Sequence, residues 1–422
     1  MNSIKDNYEM TTKLPQVYFF CFLYPPIART RSRQIIAQSL SEAGFPVKVI
    51  SIKNPNGFFN KFLKDTSVPP DSLNVKVEYL KTPNWWILGE LLSILKVIPD
   101  PQMNWAWAVK RRMRKIIDTK QGVIIGLYPP LVNFIATDYA KKITGFPLIL
   151  DYRDEFLDLI APYSGSRRSK LLNFEQKIVN AADLIAVATP EIKNKLQSRY
   201  GIEDKKIIVC YSGFSQVHKS ANQSFDNQTE NVFKKETLKI VYAGAISQHQ
   251  KPEIIALAYK KLLQKYPYLK EKITITFYGP DNYYFKHVFK KYLGNGLIYG
   301  GFLPQSKIDD VVASYDVGFF SLAGDNYKYA IPRKLFDYIN MELPILAAIP
   351  RGEAWKIIED NKIGKAVHYS NIDEIVNAVY DFYKMDNLNY YKQNIQLIKD
   401  QFSAQHQYKK LAKKISEIID EQ

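Results

Sequence analysis

The sequence IPRKLFDYINMELPILAA, residues 331–348, contains a short helix pattern followed by an apolar strand pattern. Pro332 fits the first position of a helix, where a backbone N–H would lack a partner anyway. Arg333 and Lys334 then lie in the first turn, although the helix macrodipole disfavours cations at that end. Asp337 follows Lys334 by three positions and shares its face of the helix. The helix therefore starts with two cations and has a carboxylate just behind them.

Two interpretations of this charged helix start remain open. Two cations beside the free N–H groups of a helix start indicate that an anion binds there. Together with the carboxylate, they fit a diphosphate and the ribose hydroxyls of a nucleotide. The alternative is a surface helix whose charges are only solvated. In both cases Pro344 ends the helix, and residues 345–348 are predicted to form a short buried strand.

Composition favours a two-domain globular protein with an anionic partner. A chain of 422 residues is too long for one ordinary core. It carries 58 basic and 42 acidic residues, a net charge of +16, which favours nucleic acid, acidic lipid or a phosphorylated ligand. Cys21 and Cys210 are too few and too far apart for a disulfide framework, so we expect two core residues in a reducing compartment. We recognise no secretory signal and no stretch long enough to cross a bilayer.

The order of strand and helix patterns predicts two doubly wound α/β domains. A buried strand at 17–23, a helix at 30–43 and a strand at 47–52 begin the first domain. Ligands of such sheets bind at the carboxyl ends of the strands, so the loop at 25–33 and the residues after the strand at 147–150 should face a cleft. A new α/β unit starts at 238. The predicted division is therefore an N-terminal domain (1–215), a polar linker (216–236), a C-terminal domain (237–395) and a final helix (396–422) that packs back on the N-terminal domain.

Seven short segments, in the same order along the chain, resemble segments of the GT-B glycosyltransferases. Within that group they resemble the large retaining family of bacterial polysaccharide and lipid-glycan enzymes. The resemblance implies two Rossmann-like domains that face each other across a cleft, the first for the acceptor and the second for a UDP- or GDP-sugar. The segments are Pro25-Pro26, IPDP at 98–101 with Trp105, GLYPP at 126–130, DYRD at 151–154, AADLI at 181–185 with YSG at 211–213, YAGAI at 242–246 with Gln250 and Lys251, and residues 332–348.

Three departures from the family pattern concern the site itself. The family usually pairs two acids eight positions apart; Asp337 takes the second place, but Tyr329 stands in the first. Ala245 and Ile246 stand where an Arg commonly follows the first Gly of the second domain. The glycine pair often found after the two prolines is replaced by residues 28–29. These departures leave a catalytically degenerate nucleotide-binding or scaffold protein as one alternative. A nucleotide-sugar epimerase, which shares the two-domain architecture, is another.

The resemblance assigns the functional residues in three groups. The leaving diphosphate gains negative charge, and without a metal that charge must be met by cations and backbone N–H groups. The chain has no Asp-x-Asp and no His/Cys cluster with ligand spacing, so we expect no metal and no cofactor. The donor-binding residues are Gly244, with its amide, Gln250, Lys251, Pro332, Arg333, Lys334 and Asp337. The catalytic residues are Asp154, Lys334 and Arg153, and the acceptor side of the cleft has Pro26, Arg29 and Asp151.

The acidic residues at 151–154 have a structural alternative. Asp154 or Asp151 would orient or deprotonate the acceptor in the functional interpretation. In the structural one, Arg153 pairs with an acid of the same segment.

The expected activity is metal-independent, retaining transfer to a glycan or lipid-linked acceptor in cell-surface polysaccharide synthesis.

A final pattern concerns the membrane. Residues 85–98 are mostly apolar but too few to cross a bilayer. Trp105 and Trp107 then precede five cations at 110–115. Aromatic rings beside a basic cluster fit peripheral contact with an anionic membrane surface, through residues 85–115. The expected location is cytoplasmic, on the inner face of the cytoplasmic membrane. The alternative is that the tryptophans are core and the cations a solvated helix face. No recognisable nucleic-acid-binding module is present.

Overall fold

The computed structural model describes residues 14–27, 30–53, 74–156, 165–214, 237–385 and 388–421. Two parallel β-sheets, each with helices on both faces, account for most of them. This architecture confirms the predicted pair of Rossmann-like domains. Residues 216–236, the predicted linker, lie outside the described part of the chain.

The first sheet has seven parallel strands in the order β3-β2-β1-β4-β5-β6-β7. Its central strands are fully buried, which explains their continuous apolar sequence. The strands are β1 (Gln16–Phe20), β2 (Val47–Ile52), β3 (Val75–Leu80), β4 (Gly122–Tyr128), β5 (Leu148–Tyr152), β6 (Leu184–Val187) and β7 (Ile207–Val209). The helices of this half are α1 (Arg31–Glu42), α2 (Trp86–Ile94), α3 (Met103–Ile116), α4 (Leu131–Thr144), α5 (Gly165–Ala181) and α6 (Pro190–Tyr200).

The second sheet has six parallel strands in the order β10-β9-β8-β11-β12-β13. The strands are β8 (Leu238–Ala243), β9 (Ile273–Tyr278), β10 (Leu297–Gly301), β11 (Val317–Ser321), β12 (Ile345–Ala348) and β13 (Gly364–Val367). The helices from here to the end are α7 (Glu253–Lys265), α8 (Gln305–Ala313), α9 (Arg333–Asn340), α10 (Glu353–Asp360), α11 (Ile372–Lys384), α12 (Asn389–Lys399) and α13 (Ala404–Asp420). Residues 285–292 form short π- and 3₁₀-helical turns.

The described chain passes between the domains at two adjacent places. Phe214 and Ser403 form a parallel bridge, and the amide of Ala404 donates to the Phe214 carbonyl at 2.8 Å. Gly213 has a positive φ of 60°, and a Cβ there would lie 2.7 Å from the Ala404 nitrogen, so no other residue fits without a shift. After this crossing, α13 packs on α1, and Tyr408 joins the hydrophobic core on one face of the first sheet. The predicted boundary at 395/396 falls inside α12.

Candidate functional site

The residues of the predicted donor helix gather at the point where the strand order of the second sheet reverses. β8 lies between β9 and β11. The connection after β8 leads to β9 on one side and the connection after β11 leads to β12 on the other, so a crevice opens between β8 and β11. Gly244 follows β8 directly, and α9 starts after the loop that leaves β11. The sheet topology therefore brings Gly244 and the first turn of α9 to the same edge.

Lys334 is the cation that points into this crevice. Its Nζ lies 4.4 Å from the centroid of the Tyr242 ring and donates to the Tyr242 hydroxyl at 3.2 Å. That hydroxyl in turn donates to the Ala245 carbonyl. Burial lowers the pKa of Lys334 to about 8, although the charge of Asp337 acts in the opposite direction. An ammonium group held where it is poorly solvated interacts strongly with an anion that binds beside it.

Gly244 leaves room for the end of the Lys334 side chain. A Cβ at Gly244 would lie 2.6 Å from Cε of Lys334, and the backbone φ of +136° also disfavours any other residue. The predicted use of its amide is wrong in this structure, because that N–H donates to the Tyr278 carbonyl at 2.8 Å. Gly244 therefore contributes space for the lysine rather than a free donor.

The rest of the donor helix differs from the prediction in detail. Pro332 has extended backbone, with ψ of 139°, and stands at the N-cap, so Arg333 is the first helical residue. Asp337 pairs with Arg333, one turn before it, at 3.4 Å, and both side chains are about one-third exposed. The carboxylate therefore lies partly exposed beside a guanidinium, while Lys334 turns toward Tyr242 of β8.

Gln250 and Lys251 lie on the loop that follows Gly244. The Gln250 side chain accepts a hydrogen bond from the Ser247 hydroxyl. The backbone carbonyl of Gln250 accepts one from the Ser321 hydroxyl at the end of β11. These bonds fix the loop to the second sheet. Lys251 is exposed and has a positive φ of 41°, held by a bond from its amide to the Ser247 carbonyl at 2.8 Å. Both residues follow β8 in the chain, but neither forms a hydrogen bond to Lys334.

The structure contradicts the catalytic assignment of Arg153 and the cleft assignment of Asp151. Asp151 is fully buried and forms an ion pair with Arg153. The Arg153 guanidinium also donates to the Cys210 carbonyl at 2.8 Å and lies over the Tyr408 ring, 5.5 Å from its centroid. This geometry favours the structural alternative, because Asp151 is fully shielded from solvent, Arg153 is nearly so, and the pair binds the sheet to α13.

Asp154 is the acid of this segment that remains available at the sheet edge. It follows β5, is half-buried, and has no hydrogen bond or ion pair to any residue the structure describes. Burial raises the pKa of its carboxyl group, whereas Arg33 and Arg153 act to lower it. Pro26 is exposed after β1 at the same edge, and Arg29 lies outside the described residues.

Two contributors to the site were missed by sequence reasoning. Arg33, in the first turn of α1, places a positive charge near Asp154. Tyr242 carries the ring and hydroxyl that hold Lys334. A tyrosine within an apolar strand gives no sign of this role, since its pattern is the same as that of a core residue. Arg33 ends the loop at 25–33 that is predicted to face the cleft, and this position is the only indication of its role in the sequence.

Tyr329, the residue in the place of the first family acid, is an interdomain contact. Its side chain is 2% exposed and belongs to the hydrophobic cluster of the first domain. Lys195 of α6 holds its Nζ 4.6 Å from the centroid of the Tyr329 ring. The tyrosine therefore joins the two domains, and a carboxylate at this depth would be poorly solvated.

We expect Asp154→Asn to reduce transfer to the acceptor and to leave donor binding unchanged. The variant keeps the size of the side chain but removes a charge that can hold an acceptor hydroxyl. A lost hydrogen bond to a charged group costs about 1.5–3 kcal/mol, so kcat/KM should fall about tenfold to a hundredfold. Steady-state transfer and nucleotide titration measure the two quantities. Equal loss of donor affinity and of thermal stability would instead make Asp154 a structural residue.

Comparison with known proteins adds to this geometry. Residues 223–400 match the family model described as glycosyl transferases group 1. No curated protein sequence matches the chain. Among the described residues, no group of three or more His, Cys, Asp or Glu side chains is arranged to hold a metal ion.

Solved structures with the same two-domain fold cover nearly the whole chain. WaaG, a glycosyltransferase involved in lipopolysaccharide biosynthesis, has a TM-score of 0.62 at 12% identity and covers 94% of this chain and 98% of its own. Anabaena Alr3699/HepE in complex with UDP-glucose has a TM-score of 0.61 at 15% identity, covering 95% and 99%. An E. coli trehalose-6-phosphate protein bound with UDP-2-fluoro glucose has 0.67 at 12%, covering 96% and 98%.

Proposed function

We propose that this protein, which has the GT-B fold and matches the glycosyl transferases group 1 model over residues 223–400, moves a sugar from a UDP- or GDP-sugar to a glycan or lipid-linked acceptor. The observation that carries the proposal is the Lys334 ammonium, held over Tyr242 beside Gly244 at the reversal point of the second sheet. A cation at that place can neutralise the charge that develops on a leaving diphosphate. Asp337 would bind the ribose hydroxyls through short charge-assisted hydrogen bonds.

The proposed chemistry is retaining and needs no metal ion. Departure of the nucleoside diphosphate leaves positive charge on the anomeric carbon, and the acceptor hydroxyl attacks from the side that the diphosphate leaves. The donor phosphate accepts the proton of that hydroxyl, and Lys334 and Arg333 stabilise the resulting charges. Asp154, at the carboxyl end of β5 in the first sheet, orients the acceptor hydroxyl.

The similar structures support a uridine nucleotide as the first candidate donor. Two of them were solved with UDP-glucose or UDP-2-fluoro glucose, although at 12–15% identity they establish only the shared fold for this chain. We propose a cytoplasmic enzyme of cell-surface polysaccharide synthesis with peripheral contact to an anionic membrane surface. None of the described helices is long and apolar enough to cross a membrane.

One observation favours a second candidate function, a catalytically degenerate nucleotide-binding protein. Tyr329 replaces the first acid of the family pair and is buried between the domains, so that contact to the sugar is missing. Such a protein would bind a nucleotide but would turn over no nucleotide sugar. Release of free nucleotide from the donor, with and without a glycan acceptor, separates the two candidates.

We expect UDP or GDP to stabilise the protein against heat, and Asp337→Ala to weaken that effect. A ligand at 100 times its Kd stabilises by about 2.7 kcal/mol. Removal of a hydrogen bond to a charged group raises Kd about tenfold to over a hundredfold. Thermal shift with UDP, GDP, dTDP and ADP measures both results.

A control variant separates nucleotide binding from loss of a surface ion pair. Asp381→Ala removes the pair between Asp381 and Lys365, on α11 and β13 of the same domain. It should leave the nucleotide effect at the wild-type level. If Asp337→Ala and Asp381→Ala behave alike, or if no nucleotide stabilises the wild type, the assigned donor site is incorrect.

A further inference from the structure

Helix α2 carries an apolar surface that no described part of the chain covers. Its outward side chains are between 51% and 68% exposed, and the next apolar residue, Val97, is 66% exposed. The outward residues are Ile87, Leu88, Leu91 and Ile94 of α2 and Leu95 at its C-cap. A helix that is apolar on its solvent side is unusual for a protein surface, and such patches mark interaction sites.

The opposite face of α2 is fixed against the domain, so this exposure results from packing. Gly89 and Ser93 are buried, and Trp85 and Leu92 pack against the core of the first domain. A Cβ at Gly89 would lie 2.4 Å from the Pro101 carbonyl oxygen. Because the helix approaches this backbone so closely, it cannot roll to bury its outer leucines and isoleucines.

The neighbouring helix α3 adds a dense positive charge. All five of its cations are exposed, and none pairs with a carboxylate among the described residues. Lys110 instead has its Nζ 4.9 Å from the centroid of the Tyr139 ring. The other four are Arg111, Arg112, Arg114 and Lys115. An unneutralised basic face beside an apolar face fits the boundary of an anionic lipid layer.

Trp105 and Trp107 differ in burial, although the membrane prediction treats them alike. Trp105 is fully buried and packs on Phe22, so it is a core residue and cannot enter a membrane. Trp107 is 39% exposed and meets Trp85 edge to face, with 5.1 Å between the ring centroids. Trp107 therefore joins α3 to the start of α2 and keeps part of its ring exposed.

The position of α2 relates this surface to the cleft. The helix follows β3, whose carboxyl end lies at the same sheet edge as those of β1 and β4. Asp100, on the connection between α2 and α3, accepts a hydrogen bond from the Val132 amide at 3.0 Å, in the first turn of α4. The connection is therefore fixed to the edge where Pro26 and Asp154 lie.

We propose that α2 inserts its outer face into the headgroup and acyl boundary of an anionic lipid bilayer, while the α3 cations bind the headgroups. This contact brings the acceptor side of the cleft to the bilayer, so the acceptor is a lipid-borne molecule. That last step rests on the proposed transferase function, whereas insertion of α2 does not. A second copy of the chain is a poorer occupant, because a two-fold contact through α2 would bring two basic faces together.

Co-sedimentation of the full chain with vesicles tests the insertion. Vesicles of phosphatidylcholine alone are compared with vesicles containing phosphatidylglycerol, at low and high salt. The wild type should bind the anionic vesicles and lose affinity as salt rises. Leu91→Gln with Leu95→Gln should weaken binding by about tenfold or more. Arg111→Gln, Arg114→Gln and Lys115→Gln together should weaken it to a similar extent.

Matched variants on other surfaces control for hydrophobicity and charge. Leu397→Gln removes a leucine that is 83% exposed on α12, and Lys270→Gln, Lys409→Gln and Lys413→Gln together remove three exposed lysines. Both controls should bind vesicles like the wild type. Tryptophan fluorescence should also be quenched by lipids brominated on their acyl chains, and Trp107→Phe should reduce that quenching.

Several outcomes would overturn the proposal. Equal binding to neutral and anionic vesicles would do so, as would wild-type binding by the α2 variant or binding without quenching. A dimer of the wild type that the α2 variant lacks would make a second copy the occupant. The proposed function is tested separately from the insertion. An α2 variant that binds UDP and transfers sugar to a water-soluble acceptor has an intact catalytic site, so its loss of vesicle binding concerns the membrane contact alone.

Discussion

Replacement of Lys334 by methionine is expected to lower kcat/KM by about a hundredfold to a thousandfold. Removal of one preorganised group that stabilises a developing charge has an effect of this size in other enzymes. Methionine keeps an aliphatic stem over the Tyr242 ring and removes only the ammonium that lies 4.4 Å from its centroid. Steady-state transfer from the donor that gives the largest thermal shift measures the loss.

The same substitution is expected to stabilise the protein in the absence of nucleotide. Burial lowers the pKa of Lys334 from 10.5 to about 8, so the folded state binds fewer protons than the unfolded state between these values. Wild-type stability should therefore rise with pH from about 8 to about 10.5, and the methionine variant should lack that rise. At neutral pH the variant gains at most about 3 kcal/mol in free energy of unfolding. Denaturant titrations at several pH values measure it.

The pH dependence of transfer gives an independent check on Lys334. The ammonium is lost from the free enzyme as the pH rises through about 8, so kcat/KM should fall there. An arginine at this position would stay charged, and Lys334→Arg should flatten that fall in whatever activity remains. Lys365→Met, on the surface of the same domain, serves as the control. Full activity in Lys334→Met would place the donor diphosphate elsewhere.

The sequence predicted most of the fold because its central strands are continuous apolar runs. β3 escaped notice since it is an edge strand: its sequence VKVEYL mixes charged and apolar residues, and only its end residues Val75 and Leu80 are buried. α10 was missed because eight residues after a glycine give too short a periodic pattern. Neither element changes the position of the crevice, which depends on the order of the inner strands.

The site was predicted less completely than the fold, for a reason that Asp151 and Asp154 illustrate. Asp151 lies near the end of β5 and Asp154 just after it. Asp151 is fully buried beneath α13, while Asp154 is half-buried at the edge of the sheet. A sequence places residues near the end of a strand without showing which face will be covered. Here the covering residue, Tyr408, comes from the far end of the chain. Lys334 was identified because a cation at a helix start is a local anomaly.

The buried pair of Asp151 and Arg153 predicts the largest loss of stability from a single substitution. Asp151→Ala leaves the Arg153 guanidinium buried without its carboxylate, and removal of one partner from such a pair costs about 3–5 kcal/mol. Denaturant unfolding should show that loss in the free energy of unfolding, as a lower midpoint at an unchanged m-value. Well-packed apolar replacements remove both desolvated charges, so Asp151→Leu with Arg153→Met should recover much of the loss.

The double variant also decides between structure and catalysis. If the pair only fixes the sheet to α13, the refolded double variant should bind nucleotide and transfer sugar at near wild-type rates, because neither group reaches the cleft. Nucleotide titration and steady-state transfer, measured at a temperature where circular dichroism shows it to be folded, provide the comparison. A folded double variant that binds donor but transfers no sugar would return Arg153 to the catalytic site.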